Sequence, residues 1–129
     1  MSSATIKEIA KEKIILVVDD NEDIRYVLTT SLVVEGYSVL QASSGMSALK
    51  VLDEQPVDLI LSDIEMTDGD GFFLLKEIQS RKITPQLVFI SGHAEISAES
   101  VKKLGAVDLI RKPFNTHTLF TLVSSLIAD

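Results

Sequence analysis

Short, unbroken runs of apolar residues recur along this sequence, and each one is followed by a segment whose apolar residues have helical spacing. An unbroken apolar run, rather than an alternating one, is typical of a strand that is buried on both faces. Parallel strands need crossover connections, which are usually helices that cover the sheet. The pattern therefore predicts a doubly wound α/β fold, with five parallel strands and helices on both faces. The strands are predicted over residues 14–18, 37–42, 59–61, 87–90 and 109–110.

Capping residues, glycines and prolines mark where the intervening helices begin and end. The acidic and amide residues at 19–21 can cap the first helix, which ends near Gly36. A later helix over residues 95–104 is closed by Gly105, because glycine is common just past a helix end. The five helices are predicted to start after residue 21, at 43–45, near 71, at 95 and at 116.

The composition limits the classes of protein to which this chain can belong. Its 129 residues suffice for one domain with a core, predicted over residues 13–129 after a loosely ordered leader at 1–12. No apolar run approaches the roughly 20 residues that span a bilayer, so no membrane partner is expected. The net charge of −7 disfavours direct nucleic-acid binding by this domain, since phosphate backbones are bound by Lys and Arg. The absence of cysteine excludes disulfides and thiolate metal sites, and it is compatible with a cytoplasmic location.

Polar side chains stand where four of the predicted strands end. Asp19 and Asp20 follow the first strand, and Asp63 follows the third. Ser91 follows the fourth strand and Lys112 the fifth. In parallel α/β sheets, ligands bind beyond the carboxyl ends of the strands, so these residues are predicted to meet at one edge of the sheet. Their placement is the strongest functional signal in the sequence.

The residue types at this edge suit phosphoryl chemistry with a divalent cation. Three carboxylates held together repel one another, and some stay protonated unless a cation neutralises them. Mg²⁺ is favoured, because it binds through one or two carboxylates, keeps several waters and accepts phosphate oxygens. A carboxylate such as that of Asp63 can also be the nucleophile that attacks phosphorus. Lys112 and Ser91 would then supply a cation and a hydroxyl to the transferred group.

A family resemblance rests on four motifs that occur in order between residues 13 and 128: Asp19-Asp20, the stretch VDLILSDIEM at 57–66, Ser91-Gly92 and Lys112-Pro113-Phe114. Together they resemble the response-regulator receiver domain of two-component signalling, of the chemotaxis-regulator kind. The resemblance implies a flavodoxin-like strand order of 2-1-3-4-5. It also implies a phospho-acceptor switch, which catalyses only its own phosphorylation and dephosphorylation. The implied partners are a sensor histidine kinase or phosphotransfer protein, as the phosphoryl donor, and a downstream effector of unknown identity.

The resemblance gives the acidic residues their roles. Asp63 is the implied phospho-acceptor and a Mg²⁺ ligand. Asp20 is an implied direct Mg²⁺ ligand, and Asp19 acts mainly through a bound water. The backbone carbonyl of Glu65 completes the implied metal site.

Further residues are implied to meet the phosphoryl group or to tune its lifetime. Ser91 is the hydroxyl that moves onto the phosphoryl group, and Lys112 is its cationic anchor. A cis peptide bond between Lys112 and Pro113 is expected, since the cis form costs a bond to proline only about 0.5–1 kcal/mol. Glu65 and His93, each two residues beyond a site residue, occupy the positions at which the family tunes the lifetime of the phosphorylated state.

The sequence departs from the family pattern at two places. The loop after Asp63 reads Met-Thr-Asp-Gly-Asp-Gly at 66–71, without the usual proline and with two additional acids. Leu109 occupies the position, three residues before the lysine, at which receivers often carry a rotating Tyr or Phe. Leu109 is therefore expected to stay buried in both states while Ser91 moves, so that the signal leaves through the loop at Gly92-His93 and the helix after it.

Other interpretations of the same residues are less favoured. The acids at 19–20 alone could be a helix cap, and Asp63 alone could be a turn residue. A receiver-like module that signals by docking, with an idle acidic pocket, is the main alternative, and the complete set of site residues argues against it. The segment 63–67 resembles the phosphatase loop of haloacid dehalogenases, a fold that needs a longer chain. Residues 66–77 match an EF-hand in part, although a strand rather than a helix precedes them.

Overall fold

The structure, a computed structural model, describes residues 13–83 and 85–127, so the predicted leader at 1–12 lies outside the described residues. Strands and helices alternate along the described chain. No helix within these ranges has the length and apolar content that a membrane span requires. The strands are β1 (Ile14–Val18), β2 (Ser38–Ala42), β3 (Leu59–Asp63), β4 (Gln86–Ser91) and β5 (Asp108–Arg111). The helices are α1 (Glu22–Val34), α2 (Gly45–Glu54), α3 (Gly71–Arg81), α4 (Ala98–Leu104) and α5 (Thr116–Ile127).

The five strands form one parallel sheet in the order β2-β1-β3-β4-β5. This order confirms the doubly wound, flavodoxin-like α/β fold. The chain runs outward from β1 to β2 and then returns to β3 on the other side of β1, so the loops that follow β1 and β3 diverge. Such a reversal leaves a crevice at the carboxyl ends of the strands. In this chain the crevice lies beside Asp19, Asp20 and Asp63.

The core consists of two apolar layers, one on each face of the sheet. Successive residues of a strand point to opposite faces, so β1 supplies Ile15 and Val17 to one layer and Leu16 and Val18 to the other. One layer packs against α1 and α5, and the other packs against α2, α3 and α4. Because the central strands are buried on both faces, they have no polar face, and their sequences are unbroken apolar runs. This burial is the physical reason that the apolar runs predicted the strands.

The helix predicted over residues 95–104 begins three residues later than expected, at Ala98. Ser97 has an extended backbone, and its hydroxyl accepts a hydrogen bond from the amide of Ser100 at 3.0 Å. The amide of Ser97 donates in return to the Ser100 hydroxyl, which completes a capping box and fixes the start of α4. The prediction was wrong at this boundary, and residues 92–97 form a loop after β4.

Helix α3 begins close against the end of β3, and a glycine allows this approach. Gly71 is the first residue of α3, after Asp70, whose side chain caps the helix by accepting from the amide of Phe73 at 2.8 Å. A Cβ atom on Gly71 would lie 2.6 Å from the carbonyl oxygen of Asp63 and 2.8 Å from Cε1 of Phe89. The absence of a side chain at Gly71 therefore determines how tightly α3 packs beside Asp63.

We predict that Gly71→Ala lowers the free energy of unfolding by about 1–3 kcal/mol, the usual effect of overpacking. Alanine gains up to about 1 kcal/mol of helix propensity, and the clash with backbone and ring atoms exceeds this gain. Gly92→Ala is the matched control, since its Cβ would meet no atom nearer than Cβ of Lys112, at 3.6 Å. Urea unfolding of both variants measures the difference. Equal stability of the two variants would contradict the close approach of α3 to β3.

Candidate functional site

Three carboxylates meet where β1 and β3 end. Asp19 and Asp20 follow β1 directly, and Asp63 is the last residue of β3. The two strands are paired, with Val18 opposite Ser62, so the residues that follow lie side by side. One carboxylate oxygen from each acid lies within 4.8 Å of those of the other two, and among residues 13–83 and 85–127 this is the group of acids that could hold a metal ion. The structure thus brings together the three acids that the strand ends predicted.

Asp19 is the buried member of this carboxylate cluster, with a side chain that is 1% exposed. Its Oδ1 accepts a hydrogen bond from the amide of Asn21 at 2.9 Å, and Arg25 donates to its backbone carbonyl at 2.7 Å. Within the described part of the chain its Oδ2 has no hydrogen-bond partner, although the ammonium of Lys112 lies 3.5 Å away. A buried carboxylate oxygen without a hydrogen bond is costly, so Oδ2 of Asp19 would gain from a further donor or a metal ion.

The carboxyl of Asp63 is held by two donors. Its Oδ1 accepts from the amide of Ile64 at 3.0 Å and from the ammonium of Lys112 at 3.3 Å. Burial raises the pKa of this carboxyl above its ordinary value, and the negative charge of Asp19 raises it further. The charge and hydrogen bond of Lys112 and the amide of Ile64 lower the pKa, but they do not cancel the rise. The ammonium of Lys112 therefore does not offset both the burial of Asp63 and the charge of Asp19.

A hard dication fits this set of donors. The cluster offers carboxylate oxygens alone, and Mg²⁺ prefers oxygen ligands and needs no histidine or cysteine. The Oδ2 of Asp19 has no hydrogen bond and could accept a metal ion, and a dication would offset the burial and the charge of Asp19 that together raise the pKa of Asp63. The acidic cluster is therefore suited to Mg²⁺.

Lys112 reaches two of the three acids. Its Nζ lies 3.3 Å from Oδ1 of Asp63 and 3.5 Å from Oδ2 of Asp19. The residue directly follows β5, and its amide donates to the carbonyl of Ser91 at 2.9 Å, which continues the pairing of β4 with β5. The peptide bond between Lys112 and Pro113 is cis, as expected. The structure thus places the ammonium of Lys112, the predicted cationic side chain, against the carboxylate cluster.

Ser91 is the last residue of β4 and is 1% exposed. Its Oγ accepts a hydrogen bond from the amide of His93 at 3.0 Å. A hydroxyl that accepts one hydrogen bond keeps its own proton available for donation. Within the described chain, Ser91 lies at the same edge of the sheet as Asp63 without a hydrogen bond to it.

Glu65 and His93, the two positions predicted to tune the site, contact each other. Nε2 of His93 lies 2.9 Å from Oε1 of Glu65, and its Nδ1 lies 3.4 Å from Oε1 of Glu95. His93 therefore links the loop after β3 to the loop after β4. All three side chains are more than 40% exposed, so the pairs contribute little to stability. The part played by Glu95 could not be identified from the sequence, because it depends on the turn that the loop makes after β4.

The loop after β3 takes its shape without the usual proline. Asp68 and Gly69 have positive φ angles of 57° and 95°. The carbonyl of Gly69 accepts from the amide of Gly45 at 2.7 Å, so the loop binds the start of α2, and the side chain of Asp70 caps α3. Neither additional acid belongs to the carboxylate cluster. Residues 71–77 lie in α3, so residues 66–77 do not form the calcium-binding loop of an EF-hand.

Leu109, at the position of the rotating aromatic, lies in β5 and packs against the apolar layer next to α2, α3 and α4. It is partly buried. That Leu109 stays buried in both states, while Ser91 moves, stays a prediction.

Comparison with known proteins was made once this geometry was in hand. The family model of the response regulator receiver domain matches residues 15–124. An NtrX-like response regulator of Rickettsia bellii is 38% identical over 112 residues, which are 84% of this chain and 23% of that protein. The regulatory protein AtoC of Escherichia coli K12 is 32% identical over 110 residues, which are 84% of this chain and 24% of that protein. The chain thus spans about a quarter of the length of these relatives.

Solved structures of similar shape include three receiver-type proteins. The receiver domain of NtrX from Brucella abortus has a TM-score of 0.81 and 36% identity, and the match covers 87% of this chain and 96% of that one. Chemotaxis protein CheY4 of Vibrio cholerae has a TM-score of 0.80 and 30% identity, and the match covers 90% of this chain and 99% of that one. The response regulator TrrA of Thermotoga maritima, solved in complex with Mg²⁺ and BeF, has a TM-score of 0.80 and 31% identity. The match covers 89% of this chain and 99% of that one.

We predict that Asp63→Asn raises the melting temperature of the metal-free protein at pH 7. Because the pKa of Asp63 is raised by folding, the folded state binds more protons than the unfolded state between the ordinary carboxyl pKa, about 3.9, and the raised value. The free energy of unfolding therefore falls as the pH rises through that window, because Asp63 must be ionised in the folded protein. The uncharged amide of the Asp63→Asn variant avoids this fall in stability. Below the ordinary pKa the carboxyl is protonated in both states, so the advantage of the variant should disappear.

Thermal unfolding in the presence of a chelator, from about pH 3 to pH 8, measures this difference. Asp53→Asn is the control, since the Asp53 side chain is 66% exposed and lies outside the carboxylate cluster. A lower melting temperature for Asp63→Asn at pH 7 would show that the charge of Asp63 is not a source of instability.

Proposed function

This chain belongs to the response regulator receiver domain family, and we propose that Asp63 is the residue on which it accepts a phosphoryl group. Receiver domains are phospho-acceptor switches of two-component signalling rather than ordinary enzymes, and a receiver domain implies a cognate histidine kinase. The observation that carries the proposal is the contact between the Asp63 carboxylate and the Lys112 ammonium inside the acidic cluster. A cation held against the acceptor neutralises part of the charge that a phosphoryl group brings.

Burial and contacts favour Asp63 over Asp19 and Asp20 as the residue that accepts the phosphoryl group. The Asp19 side chain is 1% exposed and is fixed to the amide of Asn21, so a phosphoryl donor has no approach to it. Asp20 is exposed, and Lys112 pairs with Asp63 and Asp19 instead. The Asp63 side chain is 13% exposed and contacts Lys112, so it combines access with a neutralising charge.

In the proposed transfer, a carboxylate oxygen of Asp63 forms a bond to phosphorus as the bond from phosphorus to the donor breaks, and the departing group keeps the electron pair of that bond. Lys112 stays next to the acceptor and compensates the added negative charge. Ser91 turns its free hydroxyl proton towards a phosphoryl oxygen. Glu65 and His93, whose side chains meet beside these loops, are proposed to tune how long the phosphorylated state lasts.

We infer that Mg²⁺ is the ion that the cluster binds, through Asp20 and Asp63 directly, through Asp19 by way of a water, and through the backbone carbonyl of Glu65. The oxygen-only donor set and the unsatisfied Oδ2 of Asp19 support this inference. The structure of TrrA, which contains Mg²⁺ together with BeF, supports it as well. When bound, Mg²⁺ would neutralise the oxygens of the acceptor and of the transferred group.

The proposed partners follow from the family. The phosphoryl donor is a sensor histidine kinase or a phosphotransfer protein, and the phosphorylated domain acts on a downstream effector. We place this exchange in the cytoplasm. The net charge of −7 argues that the domain itself does not bind nucleic acid directly.

We predict that acetyl phosphate with Mg²⁺ adds the mass of one phosphoryl group to the wild-type protein. Asp63→Asn should remain unmodified, because an amide oxygen is a poor nucleophile and cannot form the aspartyl phosphate. Asp53→Asn, an exposed acid outside the cluster, should be labelled like the wild type. Intact-protein mass spectrometry measures the added mass. Equal labelling of Asp63→Asn would exclude Asp63 as the acceptor, and no labelling of any form would favour a module that signals by docking alone.

A further inference from the structure

We propose that Arg111 positions the loop after β4 by holding two of its backbone carbonyls, and that this clamp keeps the domain in its resting state. Arg111 is the last residue of β5, where it pairs with Ser91 at the end of β4. Its Nη1 donates to the carbonyl of His93 at 2.6 Å, and its Nη2 donates to the carbonyl of Ile96. One guanidinium group therefore ties β5 to two points of the loop. The inference rests on the proposed phosphorylation of Asp63 at the end of β3.

Few other polar contacts hold the loop at 92–97 against the sheet. The carbonyl of His93 accepts from the amide of Ile96 at 3.2 Å, but this bond only closes a turn within the loop. The His93 ring pairs with glutamates that are largely exposed, and such pairs contribute little. The hydrogen bonds of Arg111 carry a full charge on the donor, which makes them stronger than neutral ones. Arg111 is therefore the main polar tie between β5 and the loop.

The clamp and the Ser91 hydroxyl act on the same residue of the loop. The amide of His93 donates to Oγ of Ser91, and the carbonyl of His93 accepts from Arg111. When Oγ of Ser91 itself moves towards a group on Asp63, its contact with the amide of His93 is lost, and the backbone at this residue becomes free to shift. Arg111 opposes that shift. It is thus a positioning residue, which acts on the site through the loop and contacts neither Asp63 nor a phosphoryl group.

The place of Arg111 on β5 also suits a receiver without a switch aromatic. Leu109 and Arg111 are two residues apart on one strand, so their side chains point to the same face of the sheet. On this face Leu109 packs into the apolar layer and has no polar group with which to bind the loop. Arg111, nearer the carboxyl end of the strand, holds two loop carbonyls. The link between β5 and the loop is therefore made by hydrogen bonds from a guanidinium rather than by a ring.

Hydrogen exchange of the unphosphorylated, metal-free protein tests the clamp without reference to phosphorylation. The amides of His93 and Ile96 are hydrogen-bonded in the loop, so their exchange reports its opening. Arg111→Gln should speed their exchange at least about tenfold, from the loss of charge-assisted bonds. Unchanged exchange in Arg111→Gln would overturn the proposal.

Arg81→Gln is the matched control for the exchange experiment. Arg81 is a partly exposed arginine of α3 whose ion pairs are with Asp53 and Glu77, away from the loop. The exchange of the His93 and Ile96 amides should be the same in this variant as in the wild type. Acceleration in Arg81→Gln as large as in Arg111→Gln would mean that loss of any arginine loosens the loop, which would overturn the clamp.

Binding of beryllofluoride in the presence of Mg²⁺ tests the claim about the resting state. If Arg111 holds the loop away from the phosphoryl-bound arrangement, Arg111→Gln should bind beryllofluoride about 3–10-fold more tightly by calorimetry. Mg²⁺ affinity alone should change less than about twofold, because the carboxylates are untouched. Equal or weaker beryllofluoride binding by Arg111→Gln would overturn the proposal. Failure of the wild type to bind beryllofluoride would count against the proposed function instead, and the exchange result would still decide the clamp.

Discussion

Three carboxylates whose oxygens lie within 4.8 Å of one another repel, and much of the surrounding structure limits that repulsion. Lys112 brings one positive charge to the cluster, and the amides of Asn21 and Ile64 each bind a carboxylate oxygen. These partners do not fully offset the burial of the site and the charge of Asp19, since the pKa of Asp63 is still raised and Oδ2 of Asp19 has no hydrogen bond within the described chain. A bound dication, and then a phosphoryl group, would therefore change the charge balance of the carboxylate cluster.

The fold holds these charges together by burying apolar residues on both faces of the strands that carry them. β1 and β3 are neighbours in the sheet and belong to both apolar layers, so the ends of these strands cannot move apart without exposing the core. The loop after β3 is shaped by backbone features rather than by further charges. Gly71 lets α3 approach Asp63, and Asp68 and Gly69 adopt positive φ angles that turn the loop onto the start of α2. The rigidity of this loop thus comes from packing and caps.

The strands and the acidic cluster could be predicted because they depend on local patterns and one topological rule. The apolar run at 14–18 predicted a strand buried on both faces, and the ends of such strands meet at one edge of a parallel sheet. The contacts of Arg25 and Arg111 could not be predicted, because their acceptors are backbone carbonyls, which every residue has and which only the folded loops orient. The start of α4 was missed for a similar reason: several polar residues could cap it, and the capping box at Ser97 prevails.

A Mg²⁺ titration of the metal-free protein, followed by its melting temperature, tests the charge imbalance most directly. We expect Mg²⁺ to stabilise the wild type by about 2.7 kcal/mol when its concentration is 100 times the Kd. Asp20→Asn should lose most of this effect. Asp68→Asn should keep it, because Asp68 lies outside the carboxylate cluster and asparagine tolerates its positive φ angle. Full stabilisation of Asp20→Asn, or its loss in Asp68→Asn, would show that the acids at the ends of β1 and β3 are not the metal site.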